Sequence, residues 1–134
     1  MPTSKVTYLG DLRTSSIHLQ SGSEIISDAP LDNNGKGEAF SPTDTVANGF
    51  ATCMMTVMGI KAREMGIDFT GSTAEVTKIM AADPRRISEI HVTFEMNIEA
   101  DEKTKTILER TALTCPVHFS LHPDIKREIV FNWK

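Results

Sequence analysis

The 134-residue sequence is poor in cysteine and has no block of like charge, no Gly/Ser-rich linker and no low-complexity tract. Two cysteines, Cys53 and Cys115, could form at most one structural disulfide, and without a secretory signal they are expected to act as thiols instead. Without linkers, or a repeat with a period of roughly 20–50 residues, residues 1–134 read as a single domain. The 14 Lys and Arg are outnumbered by 18 Asp and Glu, giving a formal net charge of -4 and a pI near 5.5. A surface that neutralises phosphates clusters its cations, so no nucleic-acid partner is expected. The basic pairs Arg85-Arg86 and Lys126-Arg127 read as solvated loop charges. No apolar signal-peptide core follows Met1-Pro2-Thr3-Ser4-Lys5, so the expected compartment is cytoplasmic and the cysteines are expected to stay thiols or to cycle. The charge-free stretch from Val46 to Ile60 contains Asn48, Thr52 and Thr56 and is followed by Lys61, Arg63 and Glu64. A membrane span needs about 20 apolar residues, and none is expected here.

Apolar residues make up 40% of the chain and charged residues 24%, enough for a packed core. β-prone runs at Lys5–Leu9, Thr14–Leu19 and Ser23–Ser27 are separated by Gly10-Asp11 and Ser21-Gly22, so the N-terminal third reads as a β meander. The polar, glycine-bearing segment from Asp28 to Glu38 reads as a surface loop and a candidate lid. Ser41, Pro42 and Asp44 combine an N-cap, a first-turn proline and an acid at the third helical position, starting a helix that runs to about Gly66. Its middle is apolar or small on every face, so protein must surround it. One small chain has trouble doing so alone, which predicts an obligate homodimer. Met54, Met55, Met58 and Met65 are assigned to core packing rather than to a pliable ligand pocket.

Alternation from Ile90 to Ile98 places Ile90, Val92, Phe94, Met96 and Ile98 on one buried strand face, with His91 outward. Its expected partner is Ser72 to Met80, joined through the exposed loop Ala82-Asp83-Pro84-Arg85-Arg86. Asp101 and Glu102 open a second helix with Ile107, Leu108, Thr111, Ala112 and Cys115 on one stripe. Pro116 either stops that helix or restarts it with Cys115 as N-cap, the short helix ending before Pro123. Glu128 to Trp133 is the last strand. The expected fold class is α+β: an N-terminal β meander, a long buried central helix, a second sheet region and a C-terminal helix.

The thiolate is the reactive form of cysteine, and a cation or a helix N-terminus lowers a thiol's pKa while apolar burial raises it. On local context Cys53, in mid-helix among apolar residues, is the inert one. Cys115, at a helix N-cap, is the more activatable. His118 and His122 are four apart and would share a helical face, whereas His18 has no partner nearby in sequence. Cys115-x-x-His118 with Cys53 could supply three zinc ligands, but there is no compact paired-ligand motif and no metal is expected.

The segment Ser41-Pro42-Thr43-Asp44-Thr45-Val46-Ala47-Asn48-Gly49-Phe50-Ala51-Thr52-Cys53 resembles the SPTELLAAALAAC helix of the OsmC/Ohr family, and Cys115-Pro116-Val117-His118 resembles that family's second, CPVH, motif. The order of elements matches over nearly the whole chain. The resemblance implies an intertwined homodimer with two sites at the subunit interface. It implies that Cys53 is the peroxidatic cysteine, oxidised by an organic hydroperoxide to a sulfenic acid, and that Cys115 resolves it as an intramolecular disulfide. A thiol or dihydrolipoyl reductant then restores both, with no cofactor. It further implies an activating arginine, for which Arg13 is the candidate, and a carboxylate at Asp44, where the family has glutamate. Asp44 and Cys53 are nine positions apart, about 900° and about 13.5 Å along a straight helix. They cannot touch there, so either the helix bends near Gly49 or Asp44 serves through an arginine or a partner chain. The alternative to a peroxidase is a dimer of the same fold that binds a small molecule without turnover.

Overall fold

In the computed structural model, which describes all 134 residues, turns at Gly10-Asp11 and around Gly22 divide the N-terminal segment into β1 (Ser4–Gly10), β2 (Arg13–His18) and β3 (Glu24–Asp28). Gly10, Asp11 and Leu12 all have positive φ, the backbone twist a two-residue hairpin turn requires. The strands form an antiparallel sheet in the order β1-β2-β3, the expected meander. His18 does have a local partner, contrary to expectation: the turn brings Ser21 Oγ to 2.6 Å from its Nδ1. The segment after β3 contains one short 3-10 turn, Leu31–Asn33. These elements belong to the compact unit Met1–Val46, whose buried residues are all polar: Ser15, Asp28 and Ser41. Its large apolar side chains Val6, Tyr8, Leu9, Ile25, Leu31 and Phe40 are exposed.

The second unit, Ala47–Lys134, holds every buried apolar side chain. The 23-residue helix α1 (Pro42–Glu64) starts in the first unit and contributes most of its length to the second. Two antiparallel strands follow, β4 (Thr73–Ala81) and β5 (Arg86–Met96), then helices α2 (Glu102–Ala112) and α3 (Pro116–Ser120), and β6 (Lys126–Trp133), which pairs with β5 in parallel. A parallel neighbour cannot be reached by a tight turn, so the two helices serve as the crossover. Asp101 caps α2 by accepting a 2.8 Å hydrogen bond from Thr104 N.

The core forms where the buried row of β5, Ile90, Val92, Phe94 and Met96, joins Phe50, Met54 and Met58 of α1 and Leu108 of α2. Phe94 and Phe131 are register partners and stack with centroids 4.9 Å apart. β5 stops at Met96, two residues short of the expected end, because the chain turns away and Ile98 O accepts from Lys134 N. Two sets of basic residues assigned to solvated loops do structural work. Arg86 Nη1 donates to Ala82 O and Pro84 O, both at 2.9 Å, closing the turn before β5. Lys126 and Arg127 belong to β6, which begins two residues earlier than expected.

The apolar middle of α1 is not covered on all sides within one chain. Ala47, Phe50, Ala51, Met54, Met58 and Ala62 form a buried stripe, while Val46 and Ile60 stay exposed alongside Thr52 and Thr56. No helix is long and apolar enough to cross a membrane. Truncation of the core's central aromatic, Phe94→Ala, is expected to cost about 3–5 kcal/mol through lost burial and the cavity left behind. The midpoint of urea unfolding measures it.

Candidate active site

Helix α1 carries the first cysteine, and its start is fixed by a reciprocal capping box. Asp44 N donates to Ser41 Oγ at 3.1 Å while Ser41 N donates to Asp44 Oδ2 at 3.0 Å, with Pro42 at the first helical position. The helix is continuous through Gly49 and places Cys53 beside the buried stripe, half-buried.

Pro116 lacks the N–H that a continuing helix would need, so the chain leaves α2 at Ala112 and restarts as α3 with Cys115 as N-cap. Cys115 Sγ accepts a 3.2 Å hydrogen bond from His118 N. Burial of Cys115 is complete, and that burial pushes its thiol pKa upward. The backbone N–H groups of His118 and Val117 pull the other way, while the neighbouring Cys53 thiol reinforces the rise. Desolvation wins over the helix terminus. The local expectation that Cys115 is the more activatable thiol is therefore corrected. The cap geometry is present, but the sulfur it holds is kept neutral. The two cysteines are unlinked and close enough to influence each other's ionisation.

His118 packs its ring parallel to Phe50 at 5.9 Å, and its pKa is lowered by burial and by the charge of Arg127. It stays neutral at physiological pH. Arg127 ties the end of α3 to β6: its guanidinium donates to Ile125 O at 2.6 Å, His118 O at 3.2 Å and Leu121 O at 3.3 Å. Beside it lies an open cavity of about 660 Å³ lined by Glu109, Arg110, Leu113, His118, Arg127 and Phe131, among others. Cys53, Cys115 and His118 do not converge as three metal ligands. His122 lies beyond the end of α3, so it does not share a helical face with His118.

In the first unit Arg13 makes a bidentate ion pair with Asp28, Nε to Oδ1 at 2.7 Å and Nη2 to Oδ2 at 2.9 Å, and reaches Glu38 at 3.5 Å. Asp28 is buried and also accepts from Glu38 N at 3.1 Å. The hydrogen bonds from Arg13 hold its carboxyl below the usual carboxylate range, against the opposing effect of burial. Asp28 is thus a carboxylate that orients the arginine, and Asp44 forms the cap of its helix. Sequence reading missed Asp28 because it was assigned to the loop. The only signal was hairpin register, which pairs Arg13 with Asp28 across β2 and β3.

A family model described as OsmC-like protein matches residues 35–130. Among solved structures, a proposed osmotic-stress-induced and detoxification response protein of Psychrobacter arcticus is 64% identical, with 98% of this chain and 96% of that chain covered and a TM-score of 0.96. An organic hydroperoxide resistance protein of Legionella pneumophila shares 12% identity over 98% of both chains, with a TM-score of 0.75. An OsmC-like protein of Mycoplasma pneumoniae shares 18% identity over 97% of this chain and 94% of that one, with a TM-score of 0.80. The latter two support the fold. No protein of curated function matches the sequence significantly.

Two outcomes are expected. At pH near neutral, iodoacetamide followed by peptide mass mapping should label Cys53 well before Cys115, whose sulfur is buried and protonated. Asp28 contributes stability that is present above the ordinary carboxylate pKa and is lost as pH falls through its lowered folded value. Thermal unfolding of Asp28→Asn should show a lower melting temperature at neutral pH and a shallower fall in acid than the parent.

Proposed function

The chain belongs to the OsmC-like protein family, and from that premise we propose that it is a thiol-dependent peroxidase that reduces organic hydroperoxides in defence against oxidative stress. One observation carries the proposal: a half-exposed thiol, Cys53, stands next to a buried, neutral one, Cys115. Peroxide reduction in two steps needs that inequality. The Cys53 thiolate attacks the distal oxygen of ROOH, the O–O bond breaks, and the alkoxide leaves with a proton as ROH, giving Cys53 sulfenic acid. Cys115 then gives up its proton to the departing hydroxyl as its sulfur attacks the sulfenic sulfur, so that the S–O bond breaks, water leaves and the disulfide forms. A dithiol, dihydrolipoyl in type, returns two electrons and two protons by exchange. A neutral resolving thiol does not compete for the peroxide, because only the thiolate is strongly nucleophilic.

Arg13 is proposed as the cation that favours the Cys53 thiolate, and Asp28 as the group that fixes Arg13 in place. Asp44 acts through the capping box, setting the start of the helix that carries Cys53. The working form is proposed to be a homodimer. Exposed Val6, Tyr8 and Ile25 in a unit without an apolar core, and exposed Val46 and Ile60 on α1, are surfaces a second copy would cover. The proposed compartment is the cytoplasm, where reducing thiols can reopen the disulfide. Small-molecule binding without turnover is a second reading, favoured by the cavity beside His118 and Arg127.

Purified protein with cumene hydroperoxide and a dithiol reductant should turn over, with Cys53→Ser reducing the rate at least about 100-fold. Cys115→Ser should consume one peroxide per chain and then accumulate a sulfenic acid that dimedone traps. Retained turnover in Cys53→Ser removes the mechanism. A parent protein inert to peroxide that still binds the hydroperoxide supports the second reading instead.

A further inference from the structure

On β5 the side chains facing away from the buried row are Glu89, His91, Thr93 and Glu95. The parallel pairing of β5 with β6 sets His91 opposite Glu128. Both carboxylates converge on a single atom: His91 Nε2 is 3.1 Å from Glu89 Oε1 and 3.4 Å from Glu128 Oε2. The ligand atoms of the three residues all lie within 4.8 Å of one another. Tetrahedral zinc with bonds of about 2.0–2.1 Å holds neighbouring nitrogen and oxygen ligands about 3.3–3.5 Å apart, close to both separations at His91. A neutral Nε2–H can donate well to only one carboxylate, so the imidazole alone does not account for both oxygens beside it.

We propose that Glu89, His91 and Glu128 form a binding site for a divalent transition ion of the zinc class, with water completing the coordination shell. An ion seated between the two carboxylates would take the Nε2 lone pair of the imidazole, and an imidazole nitrogen favours zinc-like ions over magnesium or calcium. All three ligands stand on paired strands, so the register holds their backbones at fixed spacing. They are about one-third to one-half exposed, which leaves the site open to an ion from solution.

Lys126 supplies the cation in the ion's absence. Its Nζ lies 3.0 Å from Glu128 Oε1 and 3.9 Å from Glu89 Oε1, on a flexible, exposed side chain. An entering ion must displace it, so lysine and metal compete for the same carboxylates.

Zinc chloride titrated calorimetrically into the full-length protein, with a chromophoric chelator as competitor, tests the site. One zinc per chain is expected. Affinity should fall at least about 100-fold in His91→Ala, the upper end of what loss of an outer-shell partner costs a metal site. It should be retained in Cys53→Ser, and Lys126→Met should tighten it several-fold. The Lys126→Met arm measures a gain, which a poorly folded variant would not produce. Absence of stoichiometric uptake, uptake unaffected by His91→Ala, uptake lost with Cys53, or Lys126→Met affinity that is unchanged or weaker each overturns the proposal. None of these readouts requires peroxidase activity.

Discussion

A proline that cannot donate a hydrogen bond organises the chemistry of this chain. Pro116 interrupts the second helix, and the restart after it makes Cys115 an N-cap whose sulfur accepts from His118 N. The same break carries the chain through α3 toward β6, where the Arg127 guanidinium collects the carbonyls of His118, Leu121 and Ile125. A helix terminus that would normally activate a thiol here holds one that burial keeps protonated, because desolvation outweighs two backbone donors. The inequality of the two cysteines is thus a product of packing as much as of sequence position.

The two units solve the burial problem differently. Residues from Ala47 onward build an ordinary core from α1, α2 and the β5 row. The first 46 residues bury only polar groups, among them Asp28, which is held by the partly exposed Arg13 and by a supporting bond from Glu38 N. A bidentate pair of this kind fixes geometry more than it stabilises, since taking the Asp28 charge out of water offsets much of the attraction. It suits a residue whose task is to hold a guanidinium in one orientation.

What the sequence made legible is what local rules control. The Ser41/Asp44 capping box, the Asp101 cap, the alternation of β5 and the Cys115–Pro116 restart all follow from neighbours within a few residues, and each is present in the structure. The OsmC-like family assignment rests on those same segments. Illegible were features set by strand register or tertiary burial. Asp28 meets Arg13 only because β2 and β3 pair with one alignment, and Arg127 looked solvated because its three carbonyl partners come from a loop and a helix end. The upward push of burial on the Cys115 thiol runs against the local expectation for that residue, since no linear pattern reports how completely a sulfur is enclosed.

The full enclosure of Cys115 carries one more consequence. A sulfur without accessible surface is invisible to glutathione, to stray electrophiles and to the thiols of other proteins, whatever their concentration. The neighbouring sulfur that acts on it is that of the half-buried Cys53. A crosslink from this residue to another protein would first require the packing around it to open, so enclosure sets a barrier against aggregation through this sulfur.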